Sequence, residues 1–308
     1  MTSWQRHGRA FPPAAERSLP HWLGGFAALP HAQPAVGRRS RVFFSGRDAE
    51  NRSHVAACSL DLDRLEVVNG SVTGEPLLSP GRPGTFDDSG CSVSCLVADG
   101  PYLRLYYTGW TRRGTVPFSL AVGLAVSDDG GASFHRHSEG PLLAQGPDEP
   151  FLCASPAILV ESGVWRMWYV SGVGWEGGDG AWRPRYHIKY AESRDGVEWR
   201  RSGRVCIDFA HPREHALGRP HVLKDGGGYR MWYCWRGERY RLGYAESADG
   251  LDWRRLDDEV RLEPGAEDWE QQMQAYPMVF RDGDRLVMLY NGNGYGASGF
   301  GCATRQES

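Results

Sequence analysis

The sequence has no long apolar run, no excess of one charge and no cysteines at metal-ligand spacing. The net charge is -3 over 308 residues, too small to draw the chain to nucleic acid or to a membrane surface. No stretch approaches the roughly 20 apolar residues of a membrane-spanning helix. The N-terminus carries Arg6, Arg9, Glu16 and Arg17 and no apolar run of signal-peptide length. The seven cysteines are an odd number. Cys91 and Cys95, on one strand, would lie about 13 Å apart at about 3.3 Å per residue, too far for a disulfide. These absences point to a reduced, cytoplasmic protein whose thiols are buried as small hydrophobes.

What the sequence does have is glycine (40) and proline (19), spread at regular intervals. That distribution suits short strands joined by tight turns. Arg166–Tyr169 reads RMWY, and Arg230–Tyr233 repeats it. Weaker copies are RLYY at Arg104–Tyr107, RVFF at Arg41–Phe44 and VMLY at Val287–Tyr290. Their last residues are 63, 62, 64 and 57 positions apart. A short apolar strand precedes each copy: AQPAV from Ala32, CSVSCLV from Cys91, ASPAILV from Ala154, GRPHVL from Gly218 and AYPMVF from Ala275. In three copies a third strand and a turn follow, then a fourth strand with Phe134-x-Arg136, Trp199-x-Arg201 or Trp253-x-Arg255. The Asp-Gly steps in those turns tolerate the positive φ that a tight turn needs.

Four strands at a fixed period are the mark of a propeller blade. The predicted fold is an all-β, five-bladed β-propeller with four-stranded blades, one domain over residues 1–308. Blades are expected at 30–80, 86–145, 149–208, 214–264 and 268–303. The fifth repeat stops at its third strand, Gly299–Ala303, and Trp4-Gln5-Arg6 repeats the Trp-x-Arg of the other fourth strands. Residues 1–11 should therefore complete the last blade and close the ring, which removes free edges.

In a propeller the loops entering the first strands open on one face with those joining strands two and three. The entering loops carry Asp87 and Asp88; Asp148 and Glu149; Arg213, Glu214 and His215, then Arg219 and His221; and Asp268, Glu270, Gln274 and Tyr276. Repeat one offers His31 and Gln33. The second set carries Asp48, Trp110, Trp175, Trp235, Arg236, Asn291, Asn293 and Tyr295. Four of the five blades thus aim a carboxylate at one mouth, with three Trp around it. Paired carboxylates with aromatic platforms suit glycosidic chemistry, one as acid and one as base or nucleophile. The plainer alternative is that these acids cap turns or pair with Arg.

The run FDDSGCSVSCLVADGPYLRLYYTG (86–109), followed by GLAVSDDGGASF, resembles the repeat of the five-bladed glycosidase superfamily. That group holds family 43 arabinanases and xylosidases, the invertases and levansucrases, and family 130 mannoside phosphorylases. The resemblance spans nearly the whole chain and implies a carbohydrate-active enzyme acting on a glycosidic bond of a small carbohydrate or glycoside. It implies no cofactor, and leaves room for a structural ion in the channel. By position, Asp87 or Asp88 matches the second-blade acid and Glu149 the third-blade acid; Glu214 is a further candidate. The chain departs from the pattern in blade one, where Leu29–Pro34 has no acid. A phosphorylase or sugar transferase would instead need one acid and an anion cradle, for which Arg213, His215, Arg219 and His221 are available. A non-catalytic glycan-binding or scaffold propeller is the third reading. Trp110, Trp175, Trp235, Gln274, Tyr276, Asn291 and Gln33 complete the expected binding set. Sugar, linkage and oligomeric state are not fixed by the sequence.

Three motifs carry less. Ser127-x-Asp129-x-Gly131-x-x-Phe134 fits a sialidase-type Asp-box, a turn device between outer strands. His211-Pro212-Arg213-Glu214-His215 matches a zinc-peptidase pattern, but such chemistry needs a helix and this run lies in a loop. The long loop from Trp175 to Tyr186, with Gly177, Gly178 and Gly180 and the Arg183-Pro184-Arg185 run, is a candidate lid or subunit contact.

Overall fold

The structure is a computed structural model that describes residues 3–11, 19–178, 181–266 and 268–307. Glu16, Arg17 and Gly180 lie outside the described residues. The protein is all-β. Strand β1 (Gln5–Phe11) comes first. Unit one is β2 (Gly25–Ala32), β3 (Arg39–Arg47), β4 (Ser53–Asp61) and β5 (Glu66–Val67). Unit two is β6 (Gly90–Asp99), β7 (Tyr102–Arg112), β8 (Phe118–Ser127) and β9 (His135–Arg136). Unit three is β10 (Cys153–Glu161), β11 (Val164–Glu176), β12 (Arg183–Ser193) and β13 (Arg200–Ile207). Unit four is β14 (Ala216–Asp225), β15 (Gly228–Arg236), β16 (Tyr240–Ser247) and β17 (Arg254–Arg255). Unit five is β18 (Ala275–Asp282), β19 (Arg285–Asn291) and β20 (Phe300–Gln306), with β1 pairing antiparallel to β20. Each unit is an antiparallel meander. Among the described residues no helix is long and apolar enough to cross a membrane.

The repeated Arg-Met-Trp-Tyr makes sense position by position. Successive side chains on a strand point to opposite faces, and here both faces are covered by neighbouring units. Met167 and Tyr169 pack with Tyr106 and Leu124 of unit two. Trp168, turned the other way, packs with Tyr229 and Met231 of unit four. The arginine grips the next unit: Arg41 donates to the Gly130 carbonyl (3.3 Å), Arg104 to Asp195 (2.6 Å) and Arg166 to Asp249 (2.7 Å). The first strands touch in the order β2, β6, β10, β14, β18, and β18 touches β2. Phe11, Leu289 and Phe300 of unit five share one core with Val42, Phe44 and Leu60 of unit one.

Each first strand carries a bulge. Leu29, Ser155, Arg219 and Tyr276 take positive φ of 56°, 48°, 53° and 58°, each just before a proline and each at a register shift. Strand β6 shifts register at Ser94 without a proline. A bulged residue leaves the ladder, so proline, which has no N–H to give, is tolerated there.

This repeat corrects the expectation for unit one. Its first strand is GFAALPHA, not AQPAV, and Pro30 rather than Pro34 is the repeated proline. The unit therefore starts at residue 25, before the expected 30. Gln33 falls in the turn between β2 and β3, hydrogen-bonded through its backbone to Arg41 and Ser40. That turn is at the end of β2 opposite the entering loops, which removes Gln33 from the expected binding set.

Candidate functional site

The entering carboxylates are bound inside their own units. Asp87 accepts from Arg136 Nε (2.8 Å) and the Tyr107 hydroxyl (2.9 Å). Glu149 accepts from Arg201 (2.7 Å), Tyr169 (2.9 Å) and Ser171 (2.7 Å), with Lys189 Nζ at 3.1 Å. Glu214 is held by both terminal nitrogens of Arg255 (2.8 and 2.9 Å). There Tyr233 donates instead to Asp257 (2.6 Å), which Arg255 also contacts. Glu270 accepts from Arg6 (2.6 Å), Tyr290 (2.8 Å) and Gln274 (2.9 Å). Acid, strand-two tyrosine and fourth-strand arginine recur in four units. The four acids are 1%, 3%, 2% and 0% exposed. Burial pushes the Glu149 and Glu214 carboxyls up, but hydrogen bonds and the neighbouring cations outweigh it and hold both below the ordinary range.

A carboxylate with almost no surface, already held by a guanidinium, has few lone pairs left to offer a substrate. Asp87, Glu149 and Glu214 each tie an entering loop to the strands of its own unit, an arrangement that favours a structural role over the catalytic one expected of them. Unit one supports this. Leu23 stands seven residues before Pro30, as Glu149 stands before Pro156 and Glu270 before Pro277. Leu23 and Phe44 are buried in one cluster, with Val72 packed against it. The charged triad is replaced there by an apolar one. The described residues that lead into β2 are Leu19–Gly24, not Leu29–Pro34, and they hold no acid.

The other expected residues divide. Trp110 Nε1 donates to Ser53 of unit one (2.7 Å), Trp175 packs edge-on to Phe118 of unit two (5.2 Å), and Trp235 joins a core cluster with Ile207 and Phe209. These rings are spacers between units. Asn291, 0% exposed, donates to the carbonyls of Ala27 (2.7 Å) and Gly299 (2.8 Å) and accepts from the Leu29 N–H (2.8 Å), tying unit five to unit one. Gln274 belongs to the Glu270 network. His215 is half-buried, and burial lowers its pKa. Arg219 and His221 lie on β14, the first strand of unit four, and both are buried or nearly so. Tyr276 stacks near Tyr240 (6.3 Å), whose hydroxyl meets that of Tyr186. Arg236 covers Tyr240 (5.3 Å) and donates to Tyr295 (3.0 Å); Arg47 covers Phe26 (4.4 Å). Arg47, Tyr186 and Tyr240, on second and third strands, and Phe26, at the start of β2, stand with them and are absent from the expected set. His211 lies 3.8 Å from Glu214, which Arg255 already holds. Among the described residues no group of three His, Cys, Asp or Glu gathers as a metal site.

Asp88 is different. It lines a cleft of about 380 Å³ with Phe86, Thr111, Arg112, Arg113 and Gln145. Its partners are the Gly84 N–H (3.0 Å) and the hydroxyls of Ser89 (3.0 Å) and Thr111. Burial pushes its carboxyl up, but these donors outweigh it and keep it below the usual value, so it is ionised at neutral pH. Arg112 covers the Trp110 ring (5.8 Å) and reaches the Glu50 carbonyl (2.9 Å). A second cavity of about 500 Å³ sits at the other end of unit four. Its charges, Arg230 with Asp225 and Arg254 with Glu246, pair with each other.

No family model matches the chain. The uncharacterized protein Rv1502 of Mycobacterium tuberculosis is 40% identical over 308 residues, covering 99% of this chain and 100% of that one. The chain belongs to that protein's family. A second M. tuberculosis sequence, the uncharacterized protein MT1551, matches equally, at 40%. Among solved structures, a glycoside hydrolase superposes with a TM-score of 0.77 at 16% identity, over 98% of this chain and 92% of that one. A thermostable family-43 glycoside hydrolase gives 0.66 at 17%, over 91% and 88%. A structure from the GH130 family of mannoside phosphorylases, a family containing glycoside hydrolases that target β-1,2 mannosidic linkages in Candida mannan, gives 0.69 at 16%, over 98% and 93%. The family thus shares the fold of the propeller-type glycoside hydrolases.

Proposed function

We propose that the chain is a five-bladed propeller, closed by β1, that binds a carbohydrate in the cleft beside Asp88. The cyclic contact of the first strands and the β1–β20 pairing support the architecture. One observation carries the function: Asp88 lines an open cleft, whereas Asp87, Glu149 and Glu214 are 1%, 3% and 2% exposed. An ionised carboxylate accepts from sugar hydroxyls, Arg112 and Arg113 donate to them, and Phe86 supplies an apolar wall. Hydrolysis by two carboxylates needs a second accessible acid across the bond, and none of the other expected acids supplies one. The placement of one carboxylate beside two arginines favours, as second reading, transfer of a glycosyl group to phosphate. Titration calorimetry with a panel of mono- and oligosaccharides, with and without phosphate, tests both. Asp88→Asn should weaken binding at least tenfold while changing stability by no more than about 1 kcal/mol; unaltered binding by that variant would sink the assignment. Binding or turnover that appears only with phosphate selects the second reading.

A further inference from the structure

Arg219 belongs to no triad. It leaves the bulge of β14, 2% exposed, and crosses the interior to strands that β14 does not adjoin. Its Nη1 donates to the Ser94 carbonyl on β6 and its Nη2 to the Pro30 carbonyl on β2 (3.3 Å). Its Nε–H is buried without a partner. Among the described residues no Asp or Glu forms a salt bridge with it. The groups whose ionised forms would favour its charge are Cys95, Cys234 and Tyr276, and burial pushes the two thiols up to about 11 and about 12, so neither supplies negative charge at neutral pH. Arg219 itself, lowered by burial to about 10, stays charged.

The residue after Pro30 adds a second unmatched donor. His31 is 6% exposed, and its Nε2 accepts the Leu96 N–H (3.3 Å). A neutral ring bonded in this way carries its proton on Nδ1, and Nδ1 is buried without a partner. His221, 6.0 Å away, spends its Nε2–H on the Val279 carbonyl (2.6 Å). Among the described residues the interior thus holds a cation, two buried N–H donors with no hydrogen-bond partner, and no acidic side chain paired with them. A buried charge without a partner is costly.

We propose that a small monovalent anion of halide size binds in the interior beside Arg219, held by the Arg219 guanidinium and the His31 Nδ1–H. A structural ion at the centre of this fold is then an anion; the buried guanidinium repels a cation.

The test compares thermal unfolding of the full chain in sodium chloride and in sodium gluconate at equal ionic strength and pH 7.5. The melting temperature should rise saturably with chloride, by several degrees, and not with gluconate, which is too large to enter. Arg219→Met should abolish the difference, and His31→Asn should shift its midpoint at least threefold to higher chloride. If Arg219→Met does not fold, crystals grown in bromide decide: an anomalous peak beside Arg219 supports the site. Equal melting in both salts, or bromide crystals with no peak there, overturns it.

Discussion

The acid–tyrosine–arginine triads should be removable as sets but not in pieces. Unit two is the cleanest place to test this. Asp87 is buried, and Arg136 is a quarter exposed in its side chain. Asp87→Asn leaves a guanidinium facing a neutral amide, and costs a charge-assisted bond to Tyr107 as well. Breaking one partner of a fully buried pair costs about 3–5 kcal/mol. Because Arg136 can turn part of its head to water, about 2–3 kcal/mol is the better expectation here. For a chain of this size that is a fall of roughly 4–8 °C in melting temperature. The combined variant Asp87→Leu, Tyr107→Phe, Arg136→Val copies Leu23, Phe44 and Val72 of unit one. It removes every member at once, leaves no orphan and should recover at least half of the single-site loss. Urea denaturation followed by tryptophan fluorescence measures all three species. A cost under about 1 kcal/mol for Asp87→Asn, or a combined variant as unstable as the sum of its parts, would refute the set-wise role of the triad.

Three further outcomes follow from the same contacts. Burial lowers His221 to about 4 and His31 well below 6.5; both stay neutral when folded while the unfolded chain takes up protons. Their stabilisation is complete above about pH 6.5 and is lost as pH falls towards 4, by up to about 3 kcal/mol for His221; a pH series of urea midpoints that is flat from 7 to 4 would contradict this. Deleting residues 1–11 strips β1 from β20 and takes Arg6 from Glu270, so the shortened chain should aggregate or lose its cooperative transition in calorimetry. All seven cysteines are buried and free, so a thiol-specific chromogenic disulfide should label fewer than one per native chain and all seven in urea; rapid native labelling would refute the burial.

The strands were legible because both faces of each are buried and the same four residues meet the same neighbours in each unit. An arginine must reach the next turn, a flat ring must fill the gap between units, and a tyrosine must meet an acid, so the motif recurs at a near-constant period. Unit one was read several residues late because two prolines stand four apart, and composition cannot tell a bulge from a turn. Pro30 takes the bulge and Pro34 the turn. The place of β1 in unit five was legible because Arg6 has the same task, on Glu270, that Arg136 and Arg201 have on Asp87 and Glu149.

The surroundings of the acids were less legible for a related reason. A carboxylate recurring at the start of four of the five units looks like a converging ring, but the sequence does not say which way it points. The spacing held the answer. Asp87 to Tyr107, Glu149 to Tyr169 and Glu270 to Tyr290 are each 20 residues, and each of these units also repeats one arginine. A recurring acid with an equally recurring cation and hydroxyl is a neutral set, and neutral sets are what an interior can hold. An acid without that company is the one to suspect. Asp88, one residue from Asp87, has no counterpart with a tyrosine or arginine partner in the other units, and it is the one that faces the cleft. The absent first-blade acid then carries no message about lost catalysis: Leu23 and Phe44 show the same structural set rewritten in apolar residues.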